Sequence, residues 1–193
     1  MSSLSQDVDP PDQVRNPREI ALRALALFSV TGLAAGAPRD DILDWLTNES
    51  LVDQLTPSEL AYVSSQSPSK QEQVNASWRN EALLVLVWAL GAIERMPAFN
   101  EQCNTEDFQG VLPPFADISV SEFINGATRR SDEVLNDLAD ELLDSHWEAR
   151  DAQIHGSPVP AHLDISIIQE RHHAINWVIG YNGLPWDEVT TDT

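Results

Sequence analysis

The chain has 193 residues, 42% of them hydrophobic, which suffices for one ordinary core, and its 31 acidic against 11 basic residues give a formal net charge of −20. A surface this negative repels nucleic-acid backbones and anionic membranes, so we expect neither as a partner. The single cysteine, the absence of a recognisable signal peptide, and the lack of any apolar run of the roughly 20 residues that a membrane span needs predict a soluble cytoplasmic protein.

The start of the chain divides into a tail and the first helices. Residues 1–15 are polar and acidic, so a disordered tail is predicted there, followed by a single helical domain over 16–193. The sequence NPRE at 16–19 is a capping box with a proline in the first turn, and we expect that helix to end at Gly32 or Gly36. A short helix is predicted from Pro38, and a second capping box, TPSE at 56–59, predicts another.

A long helix predicted over residues 68–95 is the expected centre of the fold. Its middle, ALLVLVWAL at 82–90, has no polar side, and a helix that is apolar all round must be enclosed all round. Burying a Leu or Val side chain contributes about 1.5–3 kcal/mol, so this segment outweighs any local preference. The connection over 97–116 is predicted to be irregular, with a shorter helix near 119–127.

The next predicted helix, residues 131–154, carries the densest acidic face of the chain. Its inward stripe, read every four residues, changes from Leu138 and Leu142 to His146 and Arg150. The inner face therefore becomes polar towards the end of the helix.

The last predicted helix runs from a cap at Asp164 to about Tyr181. At about 100° per residue, His172 falls among isoleucines on one side, whereas Glu170 and His173 fall near the opposite side. No segment alternates with a period of two over a useful length, so few or no strands are expected. The predicted fold is an all-α, single-domain helical bundle around the helix at 68–95.

We predict that the helices at 68–95, 131–154 and 164–182 pack together and share a polar cluster. A buried carboxylate needs a partner, because an unpaired buried charge costs several kcal/mol. The interpretation we favour is a set of structural ties, which is also the best place to look for a site. The candidate residues are Arg79, Glu81, His146, Arg150, Glu170, Arg171 and His173.

The C-terminal tail forms a second candidate feature. A tryptophan exposed on a loose tail would contribute nothing to stability, so Trp186 is expected to clamp the tail onto the body. The carboxylates of Asp187 and Asp192 are expected to turn towards one of four arginines: Arg79, Arg129, Arg130 or Arg150.

Several short motifs occur in a fixed order: WRNEAL at 78–83, WALG at 88–91, HW and ARD at 146–151, ERHHAINW at 170–177, and WDEV at 186–189 before a terminal DT. This order resembles a bacterial family of unknown function, the domain-of-unknown-function 4272 family, over roughly residues 15–193. Ile175 and Glu188 stand where that pattern usually has Leu and Asp. The resemblance implies a shared fold and an intracellular bacterial setting. It implies no catalytic residue, because the family has no assigned activity.

Two classes of function remain open from the sequence. The first is a non-enzymatic acidic interaction or regulatory module that binds a basic protein, and masking of a cationic active site by an immunity protein is one form of it. The acidic face at 131–154 is the expected binding surface.

The second class is a hydrolase-type or metal-dependent enzyme that uses the polar cluster. Glu170 and His173 have the spacing found in helical carboxylate metal centres, and His146 would be a third ligand, but the second copy that such centres need is missing. Alternatively, a His–Glu pair would move protons beside an arginine that holds an anionic substrate. No nucleophile stands out, and no cofactor is predicted.

Overall fold

The computed structural model describes residues 13–192, and within that range all regular structure is helical and no strand occurs. The prediction of an all-α, single-domain bundle is confirmed. None of these helices combines the length and hydropathy that crossing a membrane requires. The α-helices are α1 (Pro17–Ala34), α2 (Arg39–Asn48), α3 (Pro57–Ser64), α4 (Lys70–Ala89), α5 (Glu106–Gln109), α6 (Val120–Asn125), α7 (Asp132–Ile154) and α8 (Ile165–Ile179).

The helices α1 and α3 begin where their capping boxes predict. At Asn16 and Thr56 the cap side chain accepts the backbone N–H of a glutamate three residues on, and that glutamate accepts the backbone N–H of the cap. Ser69 and Ser119 make the same reciprocal pair at α4 and α6. Each box satisfies two of the backbone donors that a helix start leaves without partners.

Two helix ends differ from the prediction because glycines adopt positive φ earlier than expected. The central helix α4 stops at Ala89, short of residue 95, and Gly91 follows with φ 77°. The last helix α8 ends at Gly180, which is left-handed at φ 77° and ψ 27° and donates its N–H to Asn176 and Trp177. Glycine adopts this conformation without a Cβ penalty, so it ends the helix before residue 182.

The packing order of the long helices is α1, α4, α8, α7. Every residue over 81–90 is buried, and α4 lies between α1 and α8. The expected three-helix hub is therefore wrong in one respect: α7 packs against α8, not against α4. The other neighbour of α4 is α1, whose Ile20, Ala24 and Leu27 are fully buried.

The predicted N-terminal tail falls largely outside the described residues, which begin at residue 13. Residues 13–15 lie along the end of α8, where the Arg15 N–H donates to the carbonyl of Val178 at 2.8 Å. The guanidinium of Arg15 lies over the Trp177 ring and donates to the carbonyl of Leu184 at 2.7 Å. These contacts join the start of the described chain to its C-terminal turn.

Candidate functional site

A fully buried ion pair between α4 and α8 joins two of the predicted cluster residues. Arg171 is 0% exposed, and its Nε and Nη2 lie 2.9 and 2.8 Å from Glu81 Oε2. The remaining donors of Arg171 go to three backbone carbonyls of residues 97–101, at 2.8 to 3.2 Å. Because a guanidinium with all its donors in use has none left for a ligand, this pair holds the irregular connection against the bundle.

Cys103 lies within that connection, two residues after Glu101, and is half-buried. Its backbone N–H donates to Glu81 Oε1 at 2.8 Å. Burial, and then the neighbouring carboxylate of Glu81, raise the pKa of the Cys103 thiol to about 12. Since the thiolate is the nucleophilic form, this cysteine is not a reactive nucleophile at neutral pH.

A second pair, Arg79–Glu170, lies nearer the surface of the same two helices. Arg79 Nη1 donates to Glu170 Oε2 at 2.9 Å, with about a third of the arginine side chain exposed. Burial raises the pKa of Glu170, and the guanidinium of Arg79 opposes that rise. This contact was among those predicted from the sequence.

Two small polar cavities, of about 280 and 330 Å³, flank Arg79. The first is also lined by the carboxylates of Glu59, Glu72 and Asp187. The second is lined by Glu170. The first cavity has three carboxylates against one arginine, and in the second the arginine is already paired with Glu170, so neither suits the anionic substrate that the enzyme hypothesis would place beside Arg79.

Trp186 clamps the C-terminal segment onto the body, as predicted. It is 4% exposed, and its ring meets those of His173 and Trp177 edge-on at centroid distances of 4.7 and 5.4 Å. The guanidinium of Arg23 covers the ring at 4.6 Å and forms an ion pair with Glu59. Arg23 was missed from the sequence, although an arginine between Leu22 and Ala24, within the apolar stretch of the first helix, was a signal for it.

His173 is neutral at pH 7 in this setting. Burial, and then the charges of Arg79 and Arg23, lower its pKa to about 4, while the carboxylate of Asp187 opposes the shift. The buried Nε2 of His173 has no hydrogen-bond partner in the described part of the chain. Its ring packs against Trp186 rather than meeting Glu170 or His146.

The tail carboxylates do not pair with arginines within residues 13–192, contrary to expectation. Ser58 Oγ donates to Asp187 Oδ2 at 3.3 Å, and Thr190 Oγ1 donates to Asp192 Oδ2 at 2.9 Å. Asp187 shares a cavity wall with Arg79, so the prediction was right about the region but not about the contact. Arg130 instead covers the Trp88 ring.

His146 belongs to a different contact, on the side of α8 that faces α7. Its Nδ1 lies 3.0 Å from Nδ1 of His172, and both rings are buried. A hydrogen bond between two ring nitrogens requires one of them to be unprotonated. Burial lowers the pKa of both rings. The charge of Arg150 lowers the pKa of His146 further. The pKa of His172 falls to about 4, with His146 adding to the effect of burial.

The predicted polar cluster is therefore divided between two sides of α8. Glu170 and His173 face α4 and the tail, whereas His172 faces α7 and meets His146. Arg150 is exposed and makes no described hydrogen bond, so it joins the His146 side only through its charge. Helical spacing indicates which way a side chain leaves its own helix, and it does not indicate which neighbour lies there.

The proposed metal ligands do not converge. His146 lies across α8 from Glu170 and His173, and the latter two contact Arg79 and Trp186 respectively. Over residues 13–192 no group of three or more His, Cys, Asp or Glu side chains is placed to hold a metal ion.

The outward side of α7 combines charge with exposed apolar side chains. Leu143, Trp147 and Ile154 are 41%, 58% and 73% exposed. At about 100° per residue they form one stripe about 17 Å long, beside the acidic residues. The exposed carboxylates of this helix are those of Asp132, Glu133, Asp137, Asp140, Glu141, Asp144 and Glu148. We refer to this stripe and these carboxylates together as the α7 outer face.

The fold and its contacts define a small all-helical protein held together by buried ion pairs and a clamped C-terminal segment. The chain belongs to the family described as Domain of unknown function (DUF4272), which matches residues 4–189. Neither curated proteins nor solved structures gave a match. The motifs that carry the resemblance include Arg79, Glu81 and Arg171 of the ion pairs and Trp186 of the clamp.

Proposed function

We propose that this protein is a non-enzymatic interaction module of the bacterial cytoplasm that binds a basic protein through the α7 outer face. The observation that carries the proposal is the stripe of Leu143, Trp147 and Ile154, exposed beside a continuous row of carboxylates. Masking of a cationic active site, as immunity proteins do, is one form such binding takes.

The two parts of the face have different roles in this proposal. Tryptophan is enriched among the residues whose truncation costs most in protein interfaces, and Trp147 lies near the middle of the stripe. The carboxylates attract a basic partner and set its orientation, which acts mainly on the association rate and on specificity. The same negative charge disfavours nucleic acids and anionic membranes as partners.

The enzyme alternative has less support from the titratable groups. His146 and His172 are buried against each other and line none of the three cavities described here. The arginines that would hold an anion are poorly placed for it: Arg171 is enclosed, Arg79 is paired, and Arg150 is exposed and lines none of these cavities.

The test compares two charge changes of equal size at different places. One variant neutralises three carboxylates of the α7 outer face, and its matched control neutralises three exposed carboxylates, two in α2 and one directly after it. A second comparison truncates Trp147 or, as a control, Leu60, which is 40% exposed on α3. The substitutions are D140N/D144N/E148Q against D40N/D44N/E49Q, and W147A against L60A.

Each protein is used to capture binding proteins from cells that express the full chain, over a series of salt concentrations. We expect wild type and both controls to retain the same basic protein and to release it as salt rises, because screening weakens the charge contacts. Both α7 variants should fail to retain it. Equal retention by the two triple variants would contradict the proposal, since binding would then depend only on net charge. Capture of no basic protein by the wild type would also contradict it.

A further inference from the structure

The largest of the described cavities is lined by no residue of the α7 outer face and by none of the ion-pair residues. It has a volume of about 510 Å³ and opens between the end of α1, the first half of α2 and the connection over residues 105–115. Ligand pockets of small molecules commonly measure about 300–1,000 Å³. The volume is therefore that of a small-molecule site.

Aromatic side chains from separate parts of the chain line this cavity. Phe108 is buried, whereas Phe115 is 64% exposed at the rim and meets Phe28 edge-on at 6.0 Å and 84°. Trp45 of α2 adds a fourth ring. Edge-to-face and stacked contacts with such rings favour a ligand that itself carries aromatic rings.

The charges of the lining restrict the ligand further. Asp41 is the only ionisable side chain in the wall, and it lies in the exposed first turn of α2. An anion would find no lysine, arginine or histidine there to replace its lost hydration. A cation would find only a carboxylate that remains in water, so an uncharged ligand fits best.

One polar group offers a specific contact. The side chain of Asn80, on α4, donates its amide N–H to the carbonyl of Ser77 at 3.0 Å. No described group donates to Asn80 Oδ1. A ligand with one N–H or O–H donor would satisfy this acceptor at the wall of a mainly apolar cavity.

We propose that this cavity binds an uncharged, ring-bearing small molecule that donates one hydrogen bond. The proposal does not depend on the proposed interaction through α7, because none of the lining residues belongs to that helix.

The test uses two dyes with the same ring skeleton. N-phenyl-1-naphthylamine is uncharged, carries aromatic rings and has one N–H, and 8-anilino-1-naphthalenesulfonate adds a single negative charge. Fluorescence titration should show one uncharged dye bound per chain, with an affinity at least about tenfold above that of the sulfonate. Equal or tighter binding of the sulfonate would overturn the assignment, and so would the absence of saturable binding.

Variants at the cavity test whether the dye binds there. Ala35 lines the opening and is exposed, so A35W fills the mouth without entering the core; A61W is the control on an exposed face of α3. We expect A35W to weaken binding of the uncharged dye by at least about tenfold and A61W to leave it unchanged. F115A removes the exposed rim ring and should weaken binding in the same direction. Unaltered binding in both A35W and F115A would overturn the proposal.

Discussion

Replacing Arg171 by methionine should destabilise the protein strongly. The substitution leaves the carboxylate of Glu81 buried with only the backbone N–H of Cys103, and it removes the donors of three carbonyls in residues 97–101. Removing one partner of a buried ion pair costs about 3–5 kcal/mol. Because small domains unfold with about 5–15 kcal/mol, R171M should lose a large part of the free energy of unfolding.

Urea unfolding followed by circular dichroism measures this loss, and a second variant tests its cause. The double variant E81Q/R171M should be more stable than R171M alone, because no unpaired charge remains buried. R150M is the matched control, since Arg150 is exposed and should change stability by no more than about 0.5 kcal/mol. A loss below about 1 kcal/mol for R171M would refute the role assigned to this pair. Faster alkylation of Cys103 in R171M would report loosening of the connection itself.

Stability should also depend on pH through His172 and His173, whose pKa values burial lowers from 6.5 to about 4. Below pH 6.5 the unfolded chain binds protons at these two histidines that the native state does not bind. The free energy of unfolding is therefore highest above pH 6.5 and falls as the pH drops towards 4, by up to about 3 kcal/mol for each histidine. Urea midpoints across this range measure the slope, which should be shallower in H172N; an unchanged slope would contradict this. G180A should cost about 1–3 kcal/mol or more, because its φ is 77° and a Cβ would overlap the carbonyl of Gln13. G183A, with φ 65° and open space around it, should cost less; urea unfolding of the two variants gives the order, and the reverse order would be inconsistent with this packing.

The order of the longer helices was predictable because their signals are local, whereas the single turn of α5 lies in a segment that was predicted to be irregular. The capping boxes at Asn16 and Thr56 and the apolar segment 82–90 act within one or two turns of chain. The burial of Trp186 followed from the cost of exposing an indole. Such features can be recognised in the sequence without knowing which helix packs against the segment.

The partners of buried groups were less predictable, because they depend on how the helices pack. Arg79 and Glu170 were both placed in the predicted cluster and do meet, but His146, placed in the same cluster, lies instead against His172. The two sides of α8 face different neighbours, and nothing in the spacing of its own residues identifies α4 or α7. The apolar cavity was missed for the same reason, since its walls come from four separate segments.

The affinity of wild type and W147A for the captured basic protein, measured calorimetrically at two salt concentrations, tests the central proposal most directly. Truncating a tryptophan at the centre of an interface typically costs at least about 2 kcal/mol, which is a loss of roughly thirtyfold in affinity. We expect that loss in W147A, no change in L60A, and weaker binding of wild type at the higher salt concentration. Equal affinities of wild type and W147A, or an affinity independent of salt, would contradict a partner bound at the α7 outer face.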